Sequence, residues 1–253
     1  MKTIEKDKLQ VKVYETRDEM GGAAGKDAIE KIKKVLLEKD EVNIIFAAAP
    51  SQNEMLKTLA GADGIDWGKV NAFHMDEYIG LEKDAPQGFG NFLKEKIFSK
   101  LPFGRVEYLN GQAEDMEEEC ARYAALLEKY PTDIVLMGIG ENGHIAFNDP
   151  HVAFFDDDKV VKPVMLDDVC RQQQVNDGCF KTLADVPKYA LTLTIPTLVK
   201  AKQLICTVPA KTKANAVKNT IMGDISEKCP ASIMRRHDDA VMYCDYDSGS
   251  EII

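Results

Sequence analysis

Residues 133–150, DIVLMGIGENGHIAFNDP, constrain this chain more than any other stretch. The first five have the character of a buried strand, and Gly138 and Gly140 then break it with the residue that tolerates positive φ or a close backbone approach. Past the turn stand Glu141, Asn142, His144, Asn148 and Asp149, a histidine set among amides and carboxylates. A buried strand that ends in a polar loop suits an open parallel sheet, where ligands bind beyond the carboxyl ends of the strands. Taken singly, each residue is explained by a well-capped loop. A second polar strand end, FHMDEY at residues 73–78, gives both clusters a common reason, which is a site.

The remaining sequence alternates strand and helix patterns. Residues 9–15 alternate as a half-buried strand, and Asp18 is expected to cap a helix reaching Lys39, with Ile29, Ile32, Val35 and Leu36 at helical spacing. Gly21, Gly22 and Gly25 do not meet the G-x-G-x-x-G spacing and read as close packing. Strands are expected at 43–49, 69–75, 106–109, 133–137, 189–194, 203–208 and 240–244, with helices through Leu56 and Leu59, at 92–99, at 114–128 and from Pro209 to Met222. Residues 80–90 read as an irregular stretch able to act as a lid. Residues 151–163 read as irregular and acidic, and the tail after Asp245 as frayed. Short connections between repeated β-α units imply one doubly wound α/β domain over residues 1–253, a mainly parallel sheet with helices on both faces.

At 253 residues one large core is ordinary. A formal charge of −10 without a basic stripe argues against nucleic acid and anionic membrane as partners. The start, MKTIEKDKLQ, lacks an apolar signal core and no window approaches a membrane span, so a cytoplasmic protein is expected. Six cysteines without a C-x-x-C pair fit reduced thiols rather than a disulfide frame or a zinc site.

GIGENGHIAFNDP and FHMDEYIGL resemble the two signature segments of the glucosamine-6-phosphate deaminase (isomerase) family, whose fold is shared with the 6-phosphogluconolactonases, and the similarity runs from about Asn43 to Asp245. The resemblance implies an enzyme without cofactor or metal. It would convert a 2-amino-2-deoxyhexose 6-phosphate and water to a ketose 6-phosphate and ammonia. A small sugar phosphate is the expected partner, with self-association left open.

By the same resemblance, Asp76 is the base that shuttles a proton between C2 and C1, and His144 opens the ring, a task suited to a side chain that exchanges protons near neutral pH. The family flanks this histidine with acids. Here Asn142 and Asp149 stand at those positions, and an amide can orient the ring but cannot offset its charge. Glu77 and Tyr78 are expected beside Asp76 in substrate binding, and His74 at a strand end with a minor pocket role. Lys213 matches the family's phosphate lysine, while Ala47-Ala48-Ala49 replaces a glycine-rich phosphate loop and leaves Ser51 and Gln52 as its polar members. The family's arginine before residues 186–188 has no counterpart at 176–180, and Arg171 is the nearest replacement. The early end and acidic loop argue against activation by an N-acetylated sugar phosphate. A phosphogluconolactonase-like hydrolase would continue the glycine-histidine turn with small hydroxyl residues rather than IAFNDP. A sugar-phosphate sensor of the regulator type would carry a helix-turn-helix segment, for which the stretch before Leu9 is too short, while a free-standing, non-catalytic sensor stays open as an alternative because of Asn142 and the missing arginine.

Overall fold

The computed structural model describes residues 1–253. The chain begins with a hairpin in which β1 (Lys2–Lys6) pairs antiparallel with β2 (Leu9–Val13) through Asp7, whose φ is 53°. The expected first strand is therefore the second. β1 escapes pattern reading because it is a sheet edge with mostly exposed side chains, KTIEK, and lysines on an edge discourage further pairing. Thr16, not Asp18, caps α1 (Arg17–Glu38) by accepting the Glu19 N–H.

The chain continues through β3 (Val42–Phe46), α2 (Asn53–Ala60), β4 (Val70–His74), β5 (Asp76–Tyr78) and α3 (Phe89–Leu93), the last prolonged by a π-helical turn to Phe98. Then come β6 (Arg105–Glu107), α4 (Met116–Lys129), β7 (Ile134–Met137), β8 (Val161–Met165) and α5 (Asp168–Asn176). β9 (Tyr189–Leu193), α6 (Ile195–Val199), β10 (Gln203–Val208), α7 (Ala214–Met222), β11 (Ala240–Cys244) and α8 (Tyr246–Gly249) complete it.

Eight strands form one sheet in the order β1-β2-β11-β10-β7-β3-β4-β6, parallel throughout except for β1. Successive side chains alternate between two cores. Ile44 and Phe46 join Ile32 of α1 and Leu56 of α2, whereas Ile45 joins Tyr123 of α4 and Val217 of α7 on the other face. Helices on both faces explain why β3 and β7 are buried along their whole length. Gly21 and Gly25 bring α1 onto α2: a Cβ on them would fall 2.2 Å from Glu54 Cβ and 2.5 Å from Thr58 Cβ.

From β3 the chain winds outward through β4 to β6, then returns to β7 on the other side of β3 and continues to β10 and β11. The winding reverses between β3 and β7, so a crevice opens at their carboxyl ends, where ligands of such folds bind.

Three readings of the sequence need correction. Asp76 lies just past the carboxyl end of β4, as expected, but no loop follows: residues 76–78 form β5, which leaves the main sheet for a small antiparallel one, β5-β9-β8. β8 lies in the stretch taken as irregular, and because it pairs only with β9 it tolerates Pro163. The tail is docked rather than frayed: Asp245 caps α8 at Ser248 N–H and also accepts the Ala210 N–H, and Ser248 is fully buried. All six cysteines are free thiols, and no helix is long and apolar enough to cross a membrane.

Candidate active site

Four strand ends of the main sheet open onto one cleft enclosing about 790 Å³ out to its mouth. Residues 47–52 follow β3, Met75 and Asp76 follow β4, Gly138, Gly140, His144 and Phe147 follow β7, and Pro209, Ala210, Thr212 and Lys213 follow β10. Gln173, Gln174 and Asp177 at α5, Phe89 of α3 and Arg17 of α1 complete the wall.

His144 is oriented from behind. The Asn142 side-chain oxygen accepts the His144 backbone N–H at 3.0 Å, and its amide nitrogen donates to Asp149 Oδ1 at 3.0 Å, which settles which way the amide points. His144 Nδ1 then lies 2.8 Å from the Asn142 oxygen and 3.1 Å from Asp149 Oδ1, both acceptors, so Nδ1 carries a hydrogen. In the neutral ring Nε2 is left as an acceptor on a residue that lines the cleft. Gly140 makes room for the ring, since a Cβ there would fall 2.1 Å from His144 Cε1.

Asp149 is fully buried behind the histidine and does not line the cleft. Burial alone would raise its carboxyl, but the hydrogen bond and charge of His144, the Asn142 amide and the Asp167 N–H together hold it below the usual range. Its Oδ, the His144 ring nitrogen and the Cys170 thiol lie within 4.8 Å of one another, and of these the His144 and Asp149 atoms pair directly at 3.1 Å.

Asp76 is 5% exposed, and Oδ1 has no hydrogen-bond partner. Burial, and then the charge of Glu77, push its carboxyl well above the ordinary carboxylate range. Lys213 is also buried, and its Nζ has no partner. Burial lowers its pKa, against the opposing charges of Asp177 and Glu141. Gln52 donates to Ser51 Oγ at 3.0 Å and leaves Oε1 unpartnered. Gly138 lets the β7 loop lie against this pair, because a Cβ there would sit 3.0 Å from Gln52 Nε2.

Thus the cleft gathers Asp76, His144, Ser51, Gln52 and Lys213, with Asn142 and Asp149 one step behind the histidine. It does not gather Glu77, Tyr78 or Arg171. Glu77 accepts the N–H groups of Tyr78, Phe89 and Gly90 and so anchors the start of α3. Tyr78 is a core ring packed against Phe89, Phe147 and Phe180, and does not itself line the cleft although Phe89 and Phe147 do. Arg171 points away from it, bonding Asp168 and the carbonyls of Leu183 and Val186. His74 is not in the cleft either: its Nε2 accepts the Leu109 N–H. Glu141 is tied by its backbone N–H to Gln173 Oε1.

The polar cleft residues that sequence reading missed are Arg17, Gln173, Gln174, Asp177 and Thr212. Arg17 belongs to no motif, and its place at the cleft follows from the packing of α1 on α2 alone.

The family model for glucosamine-6-phosphate isomerases/6-phosphogluconolactonase matches residues 15–243. A glucosamine-6-phosphate deaminase of Listeria innocua is 36% identical over 228 residues, 90% of this chain and 95% of its own. One of Ligilactobacillus salivarius is 34% identical over 240 residues, 95% and 99% respectively. Among solved structures, a monomeric glucosamine-6-phosphate deaminase superposes with a TM-score of 0.87 at 30% identity, covering 95% of this chain and 98% of that one. The 6-phosphogluconolactonase of Thermotoga maritima superposes with a TM-score of 0.77 at 20% identity, over 94% of this chain and all of that one, which is a likeness of fold. With relatives matched along almost their entire length and the two signature loops facing one cleft, this chain belongs to the glucosamine-6-phosphate isomerase/6-phosphogluconolactonase family.

Proposed function

We propose that the protein is a glucosamine-6-phosphate deaminase, converting a 2-amino-2-deoxyhexose 6-phosphate and water to a ketose 6-phosphate and ammonia. Relatives of that name match over nine-tenths of the chain. The single geometric observation that supports the reading is that one cleft holds a desolvated, unpartnered carboxylate, the acceptor nitrogen of a tautomer-locked imidazole and an unpartnered ammonium.

The roles follow from these groups. His144 Nε2 accepts the O1 proton of the cyclic sugar and returns it to O5, which opens the ring to the aldehyde. Asp76 in its ionised form removes the C2 proton while O1 takes a proton from the substrate's own ammonium group, which gives the enolamine, and Asp76 then delivers its proton to C1. The resulting C2 iminium adds water and expels ammonia, leaving the ketone. A carboxylate whose pKa is raised by burial is a stronger base than one in water, and the buried site keeps water from competing for the proton. Lys213, with the hydroxyls of Ser51 and Thr212 on the same wall, meets the distal phosphate.

The test is ammonia release by the purified chain from a panel of amino sugar 6-phosphates. Turnover of glucosamine 6-phosphate or an epimer is expected, and Asp76→Asn should lower kcat by roughly 10²- to 10⁴-fold, the usual range for losing a general base. No ammonia from any member of the panel would overturn the reading.

A further inference from the structure

A phosphate dianion is rarely held by one lysine, and the lysine in this cleft faces a carboxylate: Asp177 lines the same wall, and its charge acts on Lys213. Taken alone, Lys213 and Asp177 leave that end of the cleft without net positive charge. The arginine nearest in sequence to the family position, Arg171, spends its guanidinium on Asp168 and two backbone carbonyls away from the cleft.

Arg17 supplies the missing cation. It occupies the first turn of α1, where Gly21 and Gly25 let α1 close onto α2, and it reaches across that contact to Glu54 Oε1 at 2.9 Å and to the Pro50 carbonyl. Glu54 is outside the cleft lining, while Arg17 is part of it. The Pro50–Ser51 segment it clasps is bonded in turn to the end of β10, where Thr207 Oγ1 donates to the Ser51 carbonyl at 3.3 Å, just ahead of the Lys213 turn. Arg17 and Lys213 therefore approach the same end of the cleft from two sides. Of five guanidinium N–H groups, two are taken by Glu54 and Pro50, and three remain.

We propose that Arg17 is the second cation of the anion site, binding the distal phosphate of the sugar together with Lys213 and standing in for an arginine that α5 does not provide. The proposal rests on the deaminase reading and sharpens its specificity. The phosphate sits between the first turn of α1 and the Lys213 turn, over the Ser51 loop. The fork geometry of the guanidinium suits two phosphate oxygens at once.

The experiment compares Arg17→Gln, Arg17→Lys, Glu54→Gln and Arg171→Gln with the wild type, measuring kcat and KM for glucosamine 6-phosphate, competition by inorganic phosphate, and melting temperature. Arg17→Gln should raise KM and weaken phosphate competition by about 10- to 100-fold, the scale of a lost charged hydrogen-bond pair, with kcat changed much less. Arg17→Lys should fall between. Glu54→Gln breaks the same ion pair but keeps the cation, so it should leave KM unchanged or lower it, whereas a purely structural Arg17 would make the two variants alike. Arg171→Gln should leave KM and phosphate competition unchanged. The proposal is overturned if Arg17→Gln keeps the wild-type KM while Lys213→Ala raises it, an outcome that leaves the deaminase reading standing. It is also overturned if Glu54→Gln reproduces the rise in KM. If the wild type treats glucosamine and glucosamine 6-phosphate alike, both the proposal and the phosphate half of the reading fall.

Discussion

The Asn142 side-chain oxygen accepts two hydrogen bonds from one residue, the backbone N–H and the ring Nδ1 of His144, at 3.0 and 2.8 Å. An aspartate could hold the ring in the same way, but the amide does a second thing that a carboxylate cannot: its nitrogen donates to Asp149. The same nitrogen lies 3.5 Å from Asp167 Oδ2, so the neutral residue joins the histidine to the carboxylates behind it instead of adding a further negative charge to them, where like charges repel strongly.

Asn142→Ala removes this link, and kcat should fall by roughly 10- to 100-fold through loss of ring orientation, with KM little changed. Asn142→Asp should retain activity, but the added negative charge favours the imidazolium, so the acidic limb of the kcat/KM profile should move to higher pH. A profile identical to wild type in Asn142→Asp would show that Asn142 does not govern the ring.

Asp76 sets function against stability. Its folded pKa lies above the unfolded value of about 3.9, so the folded protein binds this proton more tightly. The associated stability is fully present below that pH and is lost as pH rises through the folded value. Asp76→Asn, which cannot ionise, should therefore melt at a higher temperature than wild type at neutral pH while losing turnover. A lower melting temperature would show that the carboxylate is stabilised by something other than its buried surroundings and Glu77.

His74 carries the opposite sign. Burial pushes its pKa down to about 3, and the fold uses its neutral Nε2 to accept the Leu109 N–H. The unfolded chain binds this proton near pH 6.5, so stability is present above that value and is lost as pH falls toward about 3. His74→Gln keeps an acceptor without titrating. Urea midpoints measured from pH 7 to 4 should fall less steeply in this variant, and equal slopes would count against the buried, neutral histidine.

Gly140→Ala tests the fit of the His144 ring in its proposed role, because the added methyl would meet it at 2.1 to 2.4 Å. Ring displacement should cost at least about 10²-fold in kcat, comparable to losing proton transfer, in a protein whose circular dichroism is unchanged.

Lys213 has a buried ammonium with no protein partner, a cost that an anion bound in the proposed site would offset. Lys213→Met should raise KM far more than it lowers kcat, and should raise the melting temperature of the unliganded protein while reducing the stabilisation produced by added phosphate. Equal stabilisation of both proteins by phosphate would place the anion elsewhere.

The strand-turn signature around His144 made the β7 loop and its neighbours legible, because a buried strand, two glycines and a polar run each demand a specific backbone, and those demands are local. The same holds for β10 and β11, whose continuous apolar runs could only lie inside a covered parallel sheet. β1 and β8 stayed hidden because edge strands need pair along only one side and so tolerate charge and proline. The direction of a side chain is not a local property. Tyr78, two residues from Asp76, packs against Phe89 of α3 and Phe147 of the β7 loop, rings that the fold brings to it from elsewhere in the chain, and Arg171 is claimed by carbonyls 12 and 15 residues away. Arg17 reaches the cleft although no motif contains it, because glycines in α1 permit close contact with α2 and that contact fixes where a long side chain on the first turn ends. Residue type and spacing determined which chemistry the chain could hold, while the packing of helices against the sheet decided which of its charges face the substrate.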